Sequence, residues 1–225
     1  MGILWCCPEG ARGMADPRQA SWKEGFVLPA LRAYAGGNAE RSEWRSERLL
    51  LVTGAIGAGK TTFCKTFIDS LRDRSAATLD VAGILTPGLW QAGRKVGIEA
   101  MDLRTGETRH LACLRNGAFE GQGTAKWAFH PGTVEWANHV LAKAVPCKVL
   151  VVDELGPLEW LRGEGFMAGM EAADSGRYQC ALVVVRDALL EHAIHRWPQA
   201  VEVRLESITQ AREAASHWAQ TLELR

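Results

Sequence analysis

Continuous apolar runs and helix-spaced apolar residues alternate along most of this chain. The continuous runs lie at residues 49–52, 149–152 and 181–185, and two further strand-like segments lie near 81–85 and 201–205. A strand that is covered on both faces reads as an unbroken apolar run, because no face is left for polar side chains. The pattern therefore predicts the strands of a mostly parallel sheet.

Helical spacing appears between these strands. Phe63, Phe67 and Leu71 recur every fourth residue, which places them on one face of a helix. Strands that alternate with helices predict an α/β fold of three layers, with helices on both faces of the sheet. The predicted helices cover about 60–74, 132–144, 164–174 and 187–196, and a closing helix begins at about Thr209.

Two segments interrupt this alternation. Residues 95–103 and 107–114 are β-like and are joined by Arg104-Thr105-Gly106, which predicts a hairpin at the edge of the main sheet or antiparallel to it. Residues 116–123 contain three glycines and an asparagine. A loop of this composition near a ligand site is a candidate cover for that site.

Length and composition limit the class of protein. A chain of 225 residues with 47% hydrophobic and 23% charged residues indicates one globular domain, with room for an appendage. The 26 basic and 26 acidic residues balance, so binding to nucleic acid is not expected. No apolar run reaches the roughly 18 residues of a membrane span. Six cysteines without metal-ligand spacing favour a reducing, cytoplasmic compartment, and no feature indicates a particular protein partner.

The first 46 residues stand apart from the strand and helix pattern. They contain a short amphipathic segment around Trp22 and Phe26 that ends before Pro29. Met14 is a candidate start of the native chain. We expect residues 1–46 to form an N-terminal arm and residues 47–225 to form the main domain.

A glycine-rich segment at residues 54–61 follows the first apolar run and has the composition of a phosphate-binding loop. Glycines in such a loop let a polyanion approach the backbone amides, and the N-terminus of the following helix adds to the attraction. Lys60 is predicted to reach the β- and γ-phosphates, and the Thr61 hydroxyl to help hold Mg²⁺. Thr62 completes the predicted nucleotide-binding set with a mainly structural role. The segment Gly54-Ala55-Ile56-Gly57-Ala58-Gly59-Lys60-Thr61 satisfies G-x-x-x-x-G-K-[ST] at every required position.

Charged residues follow two of the other predicted strands. Ligands of an open α/β sheet bind outside the carboxyl ends of its strands, so these residues are expected near the phosphate loop. Asp153 is predicted to hold Mg²⁺, directly or through water. Glu154 is predicted to orient and deprotonate the water that attacks the γ-phosphate. Arg186 is predicted to contact the γ-phosphate in the transition state, the alternative being an ion-paired surface arginine.

Four further segments resemble one known family. The segments VAGILTP at 81–87, GRKVGI at 93–98, DLRTGE at 102–107 and VDELGPLE at 152–159 together look like the cancer-related and thermophile nucleoside-triphosphatases. The resemblance extends from about Leu49 to the C-terminus. It departs from the family at Arg94-Lys95, where the family has lysine followed by arginine, so the role of these two residues stays open.

The resemblance implies a function and an assignment of residues. The function is slow, Mg²⁺-dependent hydrolysis of nucleoside 5'-triphosphates with loose base preference, on a RecA-like P-loop core. The resemblance gives the phosphate and metal roles to the loop residues, the Walker aspartate role to Asp153 and the water-activating role to Glu154.

Three other functions share parts of this pattern. Residues 153–156 also fit the D-x-x-G motif of GTPases, but the N-K-x-D motif that reads guanine does not occur in the chain. A P-loop kinase that transfers the γ-phosphate to a small-molecule or nucleic-acid hydroxyl shares the loop and the acid. A nucleotide-dependent switch or adaptor with little turnover is the third alternative, and the N-terminal arm would serve it.

Overall fold

The computed structural model describes residues 48–75, 79–115, 126–222 and 224. The predicted N-terminal arm and the predicted cover loop at 116–123 lie outside the described residues. Among the described helices, none combines the length and the hydropathy that crossing a membrane requires.

The described residues form one sheet with helices on both faces. Five strands of the sheet are mutually parallel, and the others join them antiparallel at one side. The strands are β1 (Arg48–Gly54), β2 (Val81–Leu85), β3 (Gly88–Gln91), β4 (Arg94–Asp102), β5 (Thr108–Leu114), β6 (Trp127–Phe129), β7 (Cys147–Leu155), β8 (Tyr178–Val185) and β9 (Val201–Leu205). The helices are α1 (Lys60–Arg74), α2 (Pro131–Ala142), α3 (Met167–Asp174), α4 (Leu190–Arg196) and α5 (Ile208–Thr221).

The order of the strands determines which residues meet. The sheet runs β6-β5-β4-β2-β7-β8-β1-β9, and β3 pairs with β4 outside this path. Strand β8 therefore lies between β1, which leads into the phosphate loop, and β7, which carries Asp153 and Glu154. Because the three strands are parallel, their carboxyl ends meet at one edge. The α/β, RecA-like arrangement expected above is confirmed.

Two apolar clusters cover the two faces of the sheet. On one face, α1 packs beside α5 through Phe63 and Phe67 on α1 and small alanines on α5. On the other face, Leu141 of α2 and Met170 of α3 pack on β7 and β8. Truncating a fully buried phenylalanine such as Phe63 costs about 3–5 kcal/mol, so this packing holds the loop between β1 and α1 in place.

Most predicted elements appear close to their predicted bounds. Helix α1 covers Lys60–Arg74, and the predicted hairpin is formed by β4 and β5. The prediction of a helix from residue 164 was wrong at its start, because a π-helical turn occupies Leu158–Arg162 and α3 begins only at Met167. Strand β7 also continues through Asp153 and Glu154 to Leu155, where the prediction placed both acids after the strand.

The short strands β3 and β6 were not predicted. Strand β3 has four residues and β6 has three, which is too short for an alternating pattern to be recognised. The expectation that cysteines within elements are buried holds for Cys64, Cys147 and Cys180, whereas Cys113 is half-buried.

Candidate active site

The phosphate loop connects β1 to α1 with backbone angles that favour glycine. Gly54 has a φ of 140°, and a Cβ at this position would lie 2.2 Å from the carbonyl oxygen of Leu205. Gly59 precedes α1 with a φ of 94°, and a Cβ there would lie 3.0 Å from Ala211 of α5. Gly57 has a φ of 87° with no atom nearby, so only its backbone angle demands glycine. The loop is thus shaped by both packing and backbone conformation.

The intervening loop residues differ in exposure. Ile56 is 95% exposed, so it contributes backbone and no packing. Ala58 is buried, and its amide donates a hydrogen bond to the carbonyl of Ala55 at 3.1 Å, which closes a turn. Thr62 lies half-buried at the start of α1.

The side chain of Lys60 folds back onto the backbone of the phosphate loop. Its Nζ donates to the carbonyl oxygens of Gly54 at 2.6 Å and Ala55 at 2.9 Å. Burial lowers the pKa of Lys60, and the nearby carboxylates of Glu154 and Asp153 oppose that shift. The ammonium group therefore lies within the electrostatic influence of the two acids at the end of β7.

Asp153 connects the phosphate loop to β2. Its side chain is 1% exposed, and its Oδ1 accepts a hydrogen bond of 3.3 Å from the Thr61 hydroxyl. Its Oδ2 accepts bonds from the amide and the hydroxyl of Thr86, at 2.8 and 3.0 Å. Burial raises the pKa of Asp153, although the bonds from Thr86 and Thr61 lower it. Thr86 thereby fixes the orientation of the carboxylate.

Thr61 and Asp153 suit a magnesium ion chemically. Both present oxygen atoms, and Mg²⁺ in such sites takes one or two protein oxygens and completes its shell with phosphates and water. The described residues contain no cluster of three or more His, Cys, Asp or Glu side chains that would make a protein-only metal site. The donor set therefore fits a metal that arrives with a nucleotide.

Glu154, the residue next to Asp153 in the chain, forms an ion pair with Arg186. The Arg186 Nε donates to Oε1 of Glu154 at 3.0 Å, and its Nη2 donates to the same oxygen. Each side chain is about one third exposed. Glu154 has a φ of 81°, and the register between β7 and β8 shifts between Val152 and Leu155. This irregularity turns Glu154 toward the end of β8, where Arg186 follows.

Asp187 is a further charged residue at this edge that sequence reasoning did not assign to the site. It accepts hydrogen bonds of 2.9 Å from the hydroxyl of buried Thr53 and from Arg204. It also acts electrostatically on Lys60, since its charge raises the pKa of that amine. The sequence offers one signal for placing Asp187 in the site, which is its position one residue after Arg186. Ligands of an open α/β sheet bind beyond the carboxyl ends of its strands, and Asp187 lies just beyond the end of β8.

A cleft opens beside Glu154 and Arg186. Apolar side chains of β4, β5 and α2 line one side, including Ile98, Leu111 and Val134. The segment after β7 lines the other side and is held by Glu159, whose buried carboxylate accepts bonds from the amides of Gly156 at 2.7 Å and Phe166 at 2.8 Å. Burial raises the pKa of Glu159 despite these bonds.

The family model described as NTPase matches residues 49–215 of this chain. The chain belongs to the NTPase family. The match includes the phosphate loop, Thr86, the two acids of β7 and Arg186, so every residue of the candidate site lies within it.

Two named relatives match this NTPase-family chain over most of their own length. The nucleoside-triphosphatase THEP1 of Methanopyrus kandleri is 30% identical over 158 residues, which cover 70% of this chain and 80% of that protein. The nucleoside-triphosphatase THEP1 of Thermococcus kodakarensis is 32% identical over 142 residues, covering 60% and 74%.

Solved structures share the fold of this NTPase-family chain. The solution structure of a human cancer-related nucleoside triphosphatase aligns with a TM-score of 0.57 and 18% identity, covering 78% of this chain and all of that one. The crystal structure of THEP1 from Aquifex aeolicus aligns with a TM-score of 0.56 and 19% identity, covering 75% and 95%. The overall fold is therefore shared with solved nucleoside triphosphatases.

Proposed function

We propose that this chain hydrolyses nucleoside 5'-triphosphates to the diphosphate and phosphate, slowly, with Mg²⁺ and with little discrimination between bases. Membership of the NTPase family and the names of its relatives support this activity. The observation that carries the proposal is the meeting of three strand ends. They bring Lys60, Asp153 and the Glu154–Arg186 pair to one edge of the sheet.

The phosphate loop would hold the triphosphate. Its amides and the N-terminus of α1 attract the β- and γ-phosphates, and the glycines leave room for them. Lys60 exchanges its bonds to Gly54 and Ala55 for bonds to phosphate oxygens. The ordinary effect of a nearby anion is to raise the pKa of an amine, so bound phosphate keeps Lys60 charged.

The magnesium ion would be held by Thr61 and Asp153. When bound, it neutralises charge on the β- and γ-phosphate oxygens. Asp153 is oriented for this task by Thr86, and its bond to Thr61 places the two oxygen ligands side by side. Helix α1 holds the backbone of Thr61 in position, because Phe63 and Cys64 of the same helix are buried in the core.

Glu154 and Arg186 would act on the γ-phosphate. Glu154 takes a proton from a water molecule as the water oxygen bonds to the γ-phosphorus and the bond to the bridging oxygen breaks. The electron pair of that bond leaves with the diphosphate. Arg186 stabilises the charge that develops on the γ-phosphate oxygens.

We place this activity in a domain of residues 47–225, with residues 1–46 as a separate arm.

Phosphate release tests the proposal. It is measured with ATP, GTP, CTP, UTP and their deoxy forms, with Mg²⁺ and with EDTA, for the wild type and Lys60→Ala. We expect comparable rates for the different bases, loss of turnover in EDTA, and loss of both binding and turnover in Lys60→Ala. Transfer of label from γ-labelled ATP to an added nucleoside or oligonucleotide, with no free phosphate, would identify a kinase and overturn the proposal.

A further inference from the structure

The hairpin of β3 and β4 projects beyond the edge of the sheet that carries the nucleotide site. Strand β4 pairs antiparallel with β2 only through Asp102 and Met101, and its first half pairs with β3. Strand β3 begins three residues after β2 ends, so the hairpin continues about 15 Å past the carboxyl end of β2. Its turn is Ala92-Gly93, where both residues have positive φ.

Charge on this projection has one sign. Residues 86–98, all of them described, include Arg94 and Lys95 and no Asp or Glu. The first acid along β4 is Glu99, which faces His110 of β5 in the strand register. Lys126 adds a further cation beside the hairpin, at the start of β6. The segment 86–98 therefore carries basic and no acidic side chains, although the net charge of the whole chain is zero.

Trp90 presents a flat aromatic surface on the same hairpin. Its side chain is 66% exposed, which is unusual for so large an apolar group. Trp90 and Lys95 are cross-strand partners, so their side chains leave the same face of the hairpin. Both lie over Gly88, where a Cβ would be 3.0 Å from the Trp90 Nε1 and 2.7 Å from the Lys95 Cε. The glycine leaves room for an aromatic ring and a cation side by side.

Two ammonium groups converge on a second tryptophan. The Nζ atoms of Lys95 and Lys126 lie 5.6 and 5.5 Å from the ring centroid of Trp127. Both distances are within cation–π range, so the ring of Trp127 helps to hold both cations beside the hairpin. We call the exposed ring of Trp90 together with the ammonium groups of Lys95 and Lys126 the hairpin patch.

We propose that the hairpin patch binds single-stranded nucleic acid. Phosphates of the strand pair with the cations of the patch, and one unstacked base stacks on the exposed face of Trp90. The exposed ring favours this partner over an acidic protein, because every base has a π-face to offer and a carboxylate has none. The inference concerns a surface outside the candidate active site and does not depend on hydrolysis.

Fluorescence anisotropy with oligo(dT) and oligo(rU) of about 20 nucleotides tests the proposal without added triphosphate. We expect saturable binding of either strand, with a Kd below about 100 μM at low salt. Trp90→Leu keeps an apolar side chain but removes the π-face, and should weaken binding about tenfold. Trp90→Phe keeps an aromatic face and should stay within about threefold of the wild type.

The salt dependence of the binding constant tests the contacts between the lysines of the patch and the phosphates of the strand. The double variant Lys95→Gln and Lys126→Gln should lower the slope of log K against log salt by about 1.4, as expected for two lost contacts to a single strand. Lys65→Gln is the matched control, because Lys65 is an exposed lysine of α1 paired with Asp69, and its slope should equal that of the wild type. Basal phosphate release should not change in any of these variants.

Three results would overturn the proposal. The first is absence of saturable binding of both oligonucleotides at low salt. The second is equal affinity of Trp90→Leu and Trp90→Phe, which would remove the stacking contact. The third is competition by polyglutamate as effective as competition by unlabelled oligonucleotide, which would identify the patch as a surface for acidic proteins.

Discussion

Arg186 and Glu154 meet across the ends of neighbouring strands, where two nitrogen atoms of the guanidinium donate to a single carboxylate oxygen. Arg186 follows β8 directly, and Glu154 lies within the irregular end of β7. The candidate base and the candidate cation are thus in direct contact with each other. Each restricts the orientation of the other at this edge of the sheet.

Replacing Arg186 tests its part in turnover. Arg186→Gln removes the charge that would stabilise the transition state, and we expect kcat to fall by roughly a thousandfold with a smaller change in KM. Arg186→Lys should recover only part of the loss, since an ammonium group cannot form the same fork of bonds. Steady-state phosphate release measures both constants. Arg196→Gln, which breaks an exposed pair with Asp174, is the control. Full activity in Arg186→Gln would reduce Arg186 to a surface ion pair.

Replacing Glu154 tests the general base. Glu154→Gln keeps the size of the side chain but cannot accept the proton, so kcat should fall about 10²–10⁴-fold. Affinity for a fluorescent triphosphate should persist, because the loop and Lys60 are unchanged. Single-turnover phosphate release separates the chemical step from binding. Glu107→Gln, at an exposed glutamate paired with Arg109, should behave as wild type. Unchanged turnover in Glu154→Gln would favour the switch over the hydrolase.

Replacing Thr86 tests the orientation of Asp153. Thr86→Val removes the hydroxyl that bonds to Oδ2 of Asp153 but leaves the backbone amide bond. We expect the Mg²⁺ concentration for half-maximal turnover to rise about 10–100-fold, as for other lost partners of metal ligands. Saturating Mg²⁺ should restore most of kcat. Thr105→Val, in the turn between β4 and β5, is the control. An unshifted Mg²⁺ curve would show that the backbone amide alone orients Asp153.

Adding a methyl group at Gly54 tests the packing of the loop against β9. The new Cβ would lie 2.2 Å from the Leu205 carbonyl oxygen, so the backbone must shift. We expect Gly54→Ala to lower the free energy of unfolding by about 1–3 kcal/mol and Tm by several degrees. Gly132→Ala in α2 is the control, because a Cβ there meets no atom within 4 Å. Equal Tm values for the two variants would contradict the close approach.

The pH dependence of stability tests the burial of Glu159. Burial raises the pKa of this carboxyl in the folded chain, so the folded chain keeps its proton at pH values where the unfolded chain has lost it. Stability from this group is therefore lost as pH rises from the ordinary glutamate value through the folded value. Relative to Glu159→Gln, which does not titrate, the Tm of the wild type should fall as pH rises above about 4, the ordinary pKa of glutamate.

The control and the contrary outcome for Glu159 follow from its two hydrogen bonds. Glu164→Gln, outside the buried pair of bonds, should show the same pH profile as the wild type. A Tm difference between wild type and Glu159→Gln that grows in favour of the wild type with rising pH would mean that the bonds from Gly156 and Phe166 outweigh burial.

The parts of the candidate site that have a recognisable local sequence pattern could be predicted from the sequence. The phosphate loop has fixed spacing, and the unbroken apolar run before Asp153 identifies a buried strand whose end faces ligand. The contact between Thr86 and Asp153 joins residues 67 positions apart, and no local pattern predicts it. The positive φ of Glu154 and the π-helical turn at 158–162 are likewise set by tertiary contacts, including the bonds of Glu159.

The bonds of Lys60 within the loop bear on how tightly a nucleotide would bind. For Lys60 to reach the phosphates of a triphosphate, its two bonds to the carbonyls of Gly54 and Ala55 would have to break. Binding is therefore an exchange of partners for this ammonium group, and only the surplus of the new contacts contributes to affinity. The same internal bonds would compensate the ammonium group once the products have left, because it would regain the carbonyl oxygens of Gly54 and Ala55 as partners.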